Sequence, residues 1–194
     1  GGVHAAFGDG TTARVSRFSA TDGSLLWSAS GAYGAAPGVV LDADGDPPVF
    51  GASLVDKFDR VTGTRRWSHN APGIVVDLHV SAGAIVVAGN TDAAGSSGFL
   101  ERLRATDGAS QWQSTLAHAA SEWMNTTSVV VQGDRVLAAG VACAANARPE
   151  RCDLVLWPRG IDGTETGSVV PTFDLPATGR AVAASSDTTV GAAF

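Results

Sequence analysis

Short apolar segments broken by polar turn residues run along the whole chain, and no segment keeps a helical period. Each segment is rich in Val, Ala, Leu or Ile and is bounded by Gly, Asp, Asn, Ser or Pro, a pattern that predicts short β-strands. The clearest examples are residues 38–54, 74–90, 128–142 and 180–194. The pattern predicts an all-β protein.

A thirteen-residue motif repeats between these segments. The copies read VSRFSATDGSLLW, VDKFDRVTGTRRW and LERLRATDGASQW, and they end at Trp27, Trp67 and Trp112. The Trp residues are 40 and 45 positions apart, which is the length of four strands of about five residues with their turns. One repeat therefore predicts one four-stranded sheet.

A glycine stands four residues before each of these tryptophans, at Gly23, Gly63 and Gly108. Because glycine readily adopts positive φ, each is predicted to form the turn of a hairpin. The Trp that follows is predicted to pack between neighbouring sheets, where its indole N–H needs an acceptor. We expect these residues to dock one sheet on the next.

A fourth, degraded copy spans residues 153–170. It keeps a strand and the Asp162-Gly163 turn, but Thr166 stands near the Trp position. We therefore predict one domain over residues 1–194 with an irregular last unit that includes the start of a further one. The predicted units are residues 1–30, 31–70, 71–115 and 116–194.

The motif resembles the Trp repeats of pyrroloquinoline-quinone-like β-propellers, in which an aromatic residue or Leu, an Asp, Thr-Gly and Trp follow one another. The resemblance implies a propeller with about four blades in this chain and a ring of seven or eight. Such repeats build dehydrogenases, outer-membrane assembly lipoproteins and lumenal scaffolds. The degenerate repeats and irregular last unit also resemble the lumenal propeller in the large subunit of the ER membrane protein complex.

Composition narrows the range of partners. Lys and Arg total 13 against 19 Asp and Glu, which gives a net charge of −6 without a basic cluster, so nucleic acid is not an expected ligand. No apolar stretch approaches the roughly 20 residues of a membrane-spanning helix, and no span is predicted within this chain. The expected partners are other protein subunits or further blades.

Three alternate carboxylates, Asp42, Asp44 and Asp46, form the clearest ligand signal. Their spacing allows a tight loop to wrap oxygen atoms around calcium. Pro47 and Ser53 stand where a helical-hand calcium loop needs Gly and Glu, so the segment is closer to the aspartate loops of integrin-like propellers. An ordinary Asp-Gly turn is the alternative. No other cofactor is predicted.

Two features favour an extracytoplasmic compartment. Asn125-Thr126-Thr127 is an N-glycosylation sequon, with chance occurrence as the alternative. Cys143 and Cys152 flank a polar segment between two predicted strands, where a disulfide can close a long hairpin. Two free thiols are the alternative. We expect an ER-lumenal, periplasmic or secreted glycoprotein with one disulfide.

No catalytic residue is predicted. The resemblance implies vicinal cysteines on the quinone in the alcohol-oxidising enzymes, whereas the two cysteines here are nine residues apart. The Asp eight residues before the Trp occurs only at Asp59. The four histidines, His4, His69, His79 and His118, show no metal-ligand spacing, and no nucleophile-elbow motif occurs. Trp123, outside the repeat, is predicted to pack in the core rather than anchor a partner.

These observations predict a non-catalytic scaffold or protein-interaction domain, in line with the implied role in membrane-protein biogenesis. Two alternatives stay open. One is a fragment of a quinone-dependent dehydrogenase, and the other is an adhesive propeller that calcium stabilises.

Overall fold

The computed structural model describes the chain in separate segments. These are residues 2–8, 12–34, 37–81, 83–92, 97–117, 123–143, 152–165, 181–184 and 190–193, without the side chains of 123, 152–154, 181–184 and 190–193. Every regular element among them is a β-strand. No helix that could cross a membrane occurs in these segments.

The strands form five antiparallel sheets that follow one another along the chain. The first contains β1 (Gly2–Gly8), β2 (Ala13–Ser19) and β3 (Leu25–Gly31); the second contains β4 (Gly38–Val39), β5 (Pro48–Gly51), β6 (Leu54–Phe58) and β7 (Arg65–Asn70). The third contains β8 (Ile74–Ser81), β9 (Ala84–Asn90), β10 (Gly98–Arg104) and β11 (Ser110–Leu116). The fourth contains β12 (Trp123–Gln132), β13 (Arg135–Cys143) and β14 (Cys152–Gly160), and the fifth contains β15 (Ala181–Ala184) and β16 (Val190–Ala193).

Consecutive sheets lie side by side and share apolar interfaces. The first strands of neighbouring sheets are close to each other, since β1 lies beside β4, β8 beside β12, and β12 beside β15. Each interface has its own apolar cluster, one between the first and second sheets, one between the second and third, and one between the third and fourth. Each of the three interfaces is therefore a face-to-face contact between sheets.

The third sheet shows why its central strand is apolar at nearly every position. In β9, Ile85 and Val87 pack in the cluster shared with the second sheet, whereas Val86 and Ala88 pack in the cluster shared with the fourth. Successive side chains of a strand point to opposite faces, so a strand covered on both faces must be continuously apolar. The outer strand β11 instead alternates with exposed polar residues.

The hairpin before each repeat Trp has the same geometry in the first three sheets. The turn glycines have φ between 71° and 72°, and each donates its N–H to a carbonyl four residues earlier at 2.9 Å. A β-bulge shifts the register directly before Phe18, Phe58 and Leu103, between each of these residues and the cation that precedes it. The sequence repeat is thus a repeat of backbone conformation.

Candidate functional site

The indole of each repeat Trp reaches across to the hairpin turn of the next sheet. The Nε1–O distances are 2.9 Å from Trp27 to Arg60, 3.1 Å from Trp67 to Ala105, and 2.9 Å from Trp112 to Ile161. A buried indole N–H left without an acceptor is costly, so each carbonyl fixes the neighbouring ring as well as the neighbouring sheet. These contacts define three equivalent docking joints.

The turn glycine of the receiving sheet lies directly against the Trp ring. An added Cβ would stand 2.7 Å from the Trp27 ring at Gly63, 2.6 Å from the Trp67 ring at Gly108, and 2.9 Å from the Trp112 ring at Gly163. Only glycine combines this close approach with positive φ. The turn glycine and the Trp of the preceding sheet are therefore one structural unit.

A cation completes each joint, and the sequence motif alone did not predict its role. Arg17, Lys57 and Arg102 stand opposite Trp27, Trp67 and Trp112 across the two strands. They donate to the same three carbonyls, at 2.7, 3.1 and 3.1 Å respectively. A carbonyl oxygen has two lone pairs, so it can accept both donors. The signal was present in the sequence, since the cation always stands ten residues before the Trp.

The joint between the second and third sheets holds a buried ion pair. Lys57 Nζ lies 2.5 Å from Asp42 Oδ2, with both side chains only 6% exposed. Asp46 Oδ2 lies 4.0 Å from the same ammonium. Lys57 is the only lysine of the chain. A buried charge is tolerated when it is paired and hydrogen-bonded, and here the carboxylate and the Ala105 carbonyl do both.

The aspartate loop predicted to bind calcium is held together by its own contacts. Asp42 Oδ1 accepts the N–H groups of Asp44 and Asp46 at 3.0 and 2.9 Å, which is an Asx-type turn. Asp46 Oδ1 accepts the Arg60 N–H at 2.9 Å, and its Oδ2 lies 3.1 Å from Arg66 Nε. These contacts are those of an ordinary Asp-Gly turn, which is the alternative interpretation of the segment.

The carboxylate oxygens of Asp42 and Asp46 already pair with protein donors, so they do not fit a calcium site. The ammonium of Lys57 already stands where a cation would sit beside Asp42, and Asp44 is exposed. Across the described segments, no three His, Cys, Asp or Glu side chains are grouped so that they could hold a metal. Calcium binding at this loop would require the displacement of a buried lysine.

Asp59 stands at the position where the family motif has Asp, and its carboxylate stabilises the hairpin turn. Its Oδ1 accepts the N–H groups of Val61 and Thr62 at 2.8 Å, and its Oδ2 lies 2.7 Å from Arg66 Nη2. The Thr62 N–H and the Arg66 guanidinium hold the pKa of the Asp59 carboxyl well below its usual range. A carboxylate that is stabilised as an anion at a hairpin is suited to structure rather than to proton transfer.

A buried Tyr–Asp pair between the first and second sheets was not predicted from the sequence either. Tyr33 donates its hydroxyl to Asp56 Oδ2 at 2.5 Å, and Arg65 Nη1 approaches the same oxygen at 3.3 Å. Burial, with the Asp56 carboxylate next in effect, raises the pKa of the Tyr33 hydroxyl. The pair ties the connection between two sheets to β6.

The three described histidines, His4, His69 and His79, lie in three different sheets. His69 Nε2 lies 3.0 Å from Glu101 Oε2, which links the second sheet to the third. Burial lowers the pKa of His4 and of His79. His118 falls outside the described residues.

The sequon side chains face structural partners. Asn125 Oδ1 accepts a hydrogen bond from Asn90 Nδ2 at 2.7 Å, and Thr127 Oγ1 donates to the Ala139 carbonyl at 3.2 Å. Both lie on β12, a strand that contacts β8, β9 and β15. Glycosylation at Asn125 stays a prediction, and a glycan there would have to be accommodated between sheets.

The cysteine pair occupies matching positions at the open end of a hairpin. Cys143 at the end of β13 is the backbone partner of Cys152 at the start of β14. Directly opposite residues of antiparallel strands have Cα atoms about 4.5–5.5 Å apart, which is within the range of disulfides. The register between β13 and β14 is compatible with a Cys143–Cys152 disulfide, which stays a prediction.

The prediction that Trp123 packs in the core falls on a side chain outside the described part of the chain.

Gly108→Ala tests the joint against a matched glycine. Gly83 has φ 75° and no described atom within 4 Å of an added Cβ, so Gly83→Ala should cost only about 1 kcal/mol of left-handed backbone strain. Gly108→Ala must also displace the Trp67 ring and should cost roughly 3 kcal/mol. Urea unfolding measures both. Equal losses would show that the ring does not depend on the glycine.

Lys57→Met tests the cation. The substitution keeps the length of the side chain but leaves the buried Asp42 carboxylate unpaired, so the free energy of unfolding should fall by about 3 kcal/mol. Lys57→Arg keeps the charge and the residue type found at the other two joints, and should lose clearly less. Unchanged denaturation midpoints for Lys57→Met would contradict the role assigned to the ion pair.

Calcium titration tests the aspartate loop. We expect calorimetry to show no binding heat and the melting temperature to stay unchanged in millimolar calcium, because Lys57 and Arg66 already pair with the carboxylates. Asp44→Asn is the control, since its exposed carboxylate takes no ion pair in the loop. A calcium-dependent rise in melting temperature that Asp44→Asn abolishes would restore the calcium hypothesis.

Comparison with known proteins agrees with this architecture. The PQQ_2 family model, described as outer membrane protein assembly factor BamB, matches residues 9–188. The crystal structure of BamB from Moraxella catarrhalis superposes with a TM-score of 0.52 at 14% identity, over 89% of this chain and 64% of that chain. The β-propeller prediction is thereby confirmed, and the chain spans less than two thirds of the length of that structure. No curated protein sequence matches the chain. The family match and the repeated sheets together place this chain in the PQQ-like β-propeller family of the outer membrane protein assembly factor BamB.

Proposed function

We propose that the chain is a non-catalytic scaffold that binds protein partners through its exposed turns and outer strands. The observation that carries the proposal is the use of the repeat residues. The Trp and the cation of each motif, and the turn glycines Gly63 and Gly108, are engaged between sheets, where they stabilise the fold. What varies between repeats is the exposed part of each hairpin.

Those hairpins offer surfaces of different chemistry. The outer strand β7 exposes Arg65, Arg66 and Ser68, whereas β11 exposes Ser110, Gln111 and Gln113. At the turn of the second sheet, Val61 is 65% exposed. Side chains on a rigid frame are well placed for recognition because little conformational entropy is lost on binding.

We further propose an extracytoplasmic location and a role in membrane-protein biogenesis. The family description names outer membrane protein assembly, and the paired positions of Cys143 and Cys152 suit an oxidising compartment. In this proposal residues 1–194 are one propeller segment whose sheets are its blades. The comparisons point to BamB rather than to the ER complex, so the resemblance to the lumenal subunit stays an unconfirmed prediction.

Site-specific photocrosslinking in the native cell tests the scaffold proposal. A photoreactive amino acid at Val61, Gln111 or Gln113 should give discrete crosslinks to subunits of a membrane-protein assembly complex, identified by mass spectrometry. The same group at Val55, which is fully buried, is the control and should give none. If the exposed positions gave no more crosslinks than Val55, the proposal would fail.

An activity assay separates the scaffold from a quinone-dependent dehydrogenase. The purified protein is mixed with pyrroloquinoline quinone, calcium, an alcohol or aldose, and an artificial electron acceptor dye. We expect no dye reduction above the protein-free control. Substrate-dependent reduction would overturn the non-catalytic assignment.

A further inference from the structure

We propose that the outer edge of β11 binds an extended segment of a partner protein, which joins the third sheet as an added strand beyond β11. The segment would alternate apolar and uncharged polar residues where it lies beside residues 112–116. The inference rests on the proposed scaffold function and names the way in which one partner is held.

The edge of β11 offers main-chain groups to a further strand. β11 is the last strand in the order of its sheet, and within the described segments no strand lies beyond it. Alternate N–H and C=O groups of an edge strand point away from the sheet and form a template for another chain. The pairing with β10 is regular over residues 112–116, and the bulge at Gln111 ends it. Donors and acceptors spaced in this way are matched by an extended partner.

The side chains along this edge carry no charge. The exposed ones are Ser110, Gln111, Gln113 and Thr115, and none of them forms a side-chain hydrogen bond to another described residue. Sheet edges are commonly protected by charged residues or by proline, and β11 has neither. The composition of β11 therefore does not block the addition of a strand.

The outer strand of the second sheet is protected in the way that β11 is not. β7 exposes Arg65 and Arg66, whose guanidinium groups lie 3.3 Å from Asp56 and 2.7 Å from Asp59. A strand added there would have to lie beside two charged side chains that are already paired. The two neighbouring outer edges thus differ in their availability to a partner.

Trp112 gives the edge an apolar contact that the other outer strands lack. β3 is also uncharged, but its Trp27 is 9% exposed, whereas Trp112 is only half-buried. Successive side chains of a strand point to opposite faces and pack on cross-strand neighbours. Every second side chain of an added strand would therefore lie on the face of Trp112 and Ser114, and the others beside Gln113 and Thr115. This alternation defines the segment that the edge fits.

A synthetic peptide of alternating Thr and Val, titrated into the ¹⁵N-labelled full-length protein, tests the edge. We expect shift changes concentrated in the backbone amides of residues 112–116, with cross-strand NOEs between the peptide backbone and β11. A peptide of the same composition with all Val before all Thr cannot keep its Val side chains on the Trp112 face, so it should bind about tenfold more weakly. Absence of NOEs to β11 at saturation would contradict the proposal.

Proline variants separate main-chain pairing from side-chain contact. Gln113→Pro and Ser114→Pro each remove one N–H, and neighbouring residues of an edge strand point their N–H groups in opposite directions. The variant that loses a bond to β10 should melt earlier, whereas the other should keep its melting temperature and bind the alternating peptide about tenfold more weakly. Undiminished binding by this second variant would show that the edge does not pair with the peptide.

Crosslinking in the native cell distinguishes this proposal from the scaffold function on which it rests. If crosslinks from Val61 and Gln111 to subunits of the assembly complex persisted in the stable proline variant, the scaffold function would stand and strand addition would be wrong. A concentration-dependent dimer in sedimentation that the same variant abolishes would assign the edge to a second copy of the chain, which would also overturn the proposal.

Discussion

In the hairpin turns of the second, third and fourth sheets, one carbonyl oxygen receives an indole N–H and a cation from the preceding sheet, and the rest of the structure depends on this contact. A sheet with two apolar faces is not stable alone, so it must be stacked with a defined spacing and rotation. Apolar burial drives that stacking but has no direction. The two hydrogen bonds, the ring on the glycine and the β-bulge beside the cation supply the direction.

The three joints share this arrangement but differ in the side chain that carries the positive charge. The first and third use Arg, whose guanidinium reaches the carbonyl at the edge of the interface. The second uses Lys57, and the loop of Asp42 and Asp46 closes over its ammonium. What looks like a calcium loop in the sequence is thus the counter-charge of a buried lysine.

The sequence predicted the sheets, the hairpins and the Trp contacts because each depends on local patterns, such as strand alternation, a glycine with positive φ and a fixed spacing. It did not reveal the role of Arg17, Lys57 and Arg102, because charged residues in strands normally face solvent and the carbonyl partner is 43 to 59 residues away. The Tyr33–Asp56 pair also escaped, because its two residues are 23 positions apart and no local pattern joins them. Calcium was inferred from acidic spacing alone, which cannot show that Lys57 lies among the carboxylates.

Hydrogen exchange at the indole N–H groups tests this account most directly. In a ¹H–¹⁵N spectrum assigned with single Trp→Phe variants, the Nε1–H signals of Trp27, Trp67 and Trp112 should persist in deuterated buffer long after an exposed indole has exchanged. Each signal should then disappear faster when the cation opposite that Trp is replaced by Met. Complete exchange of all three within the dead time of the experiment would contradict the docking joints.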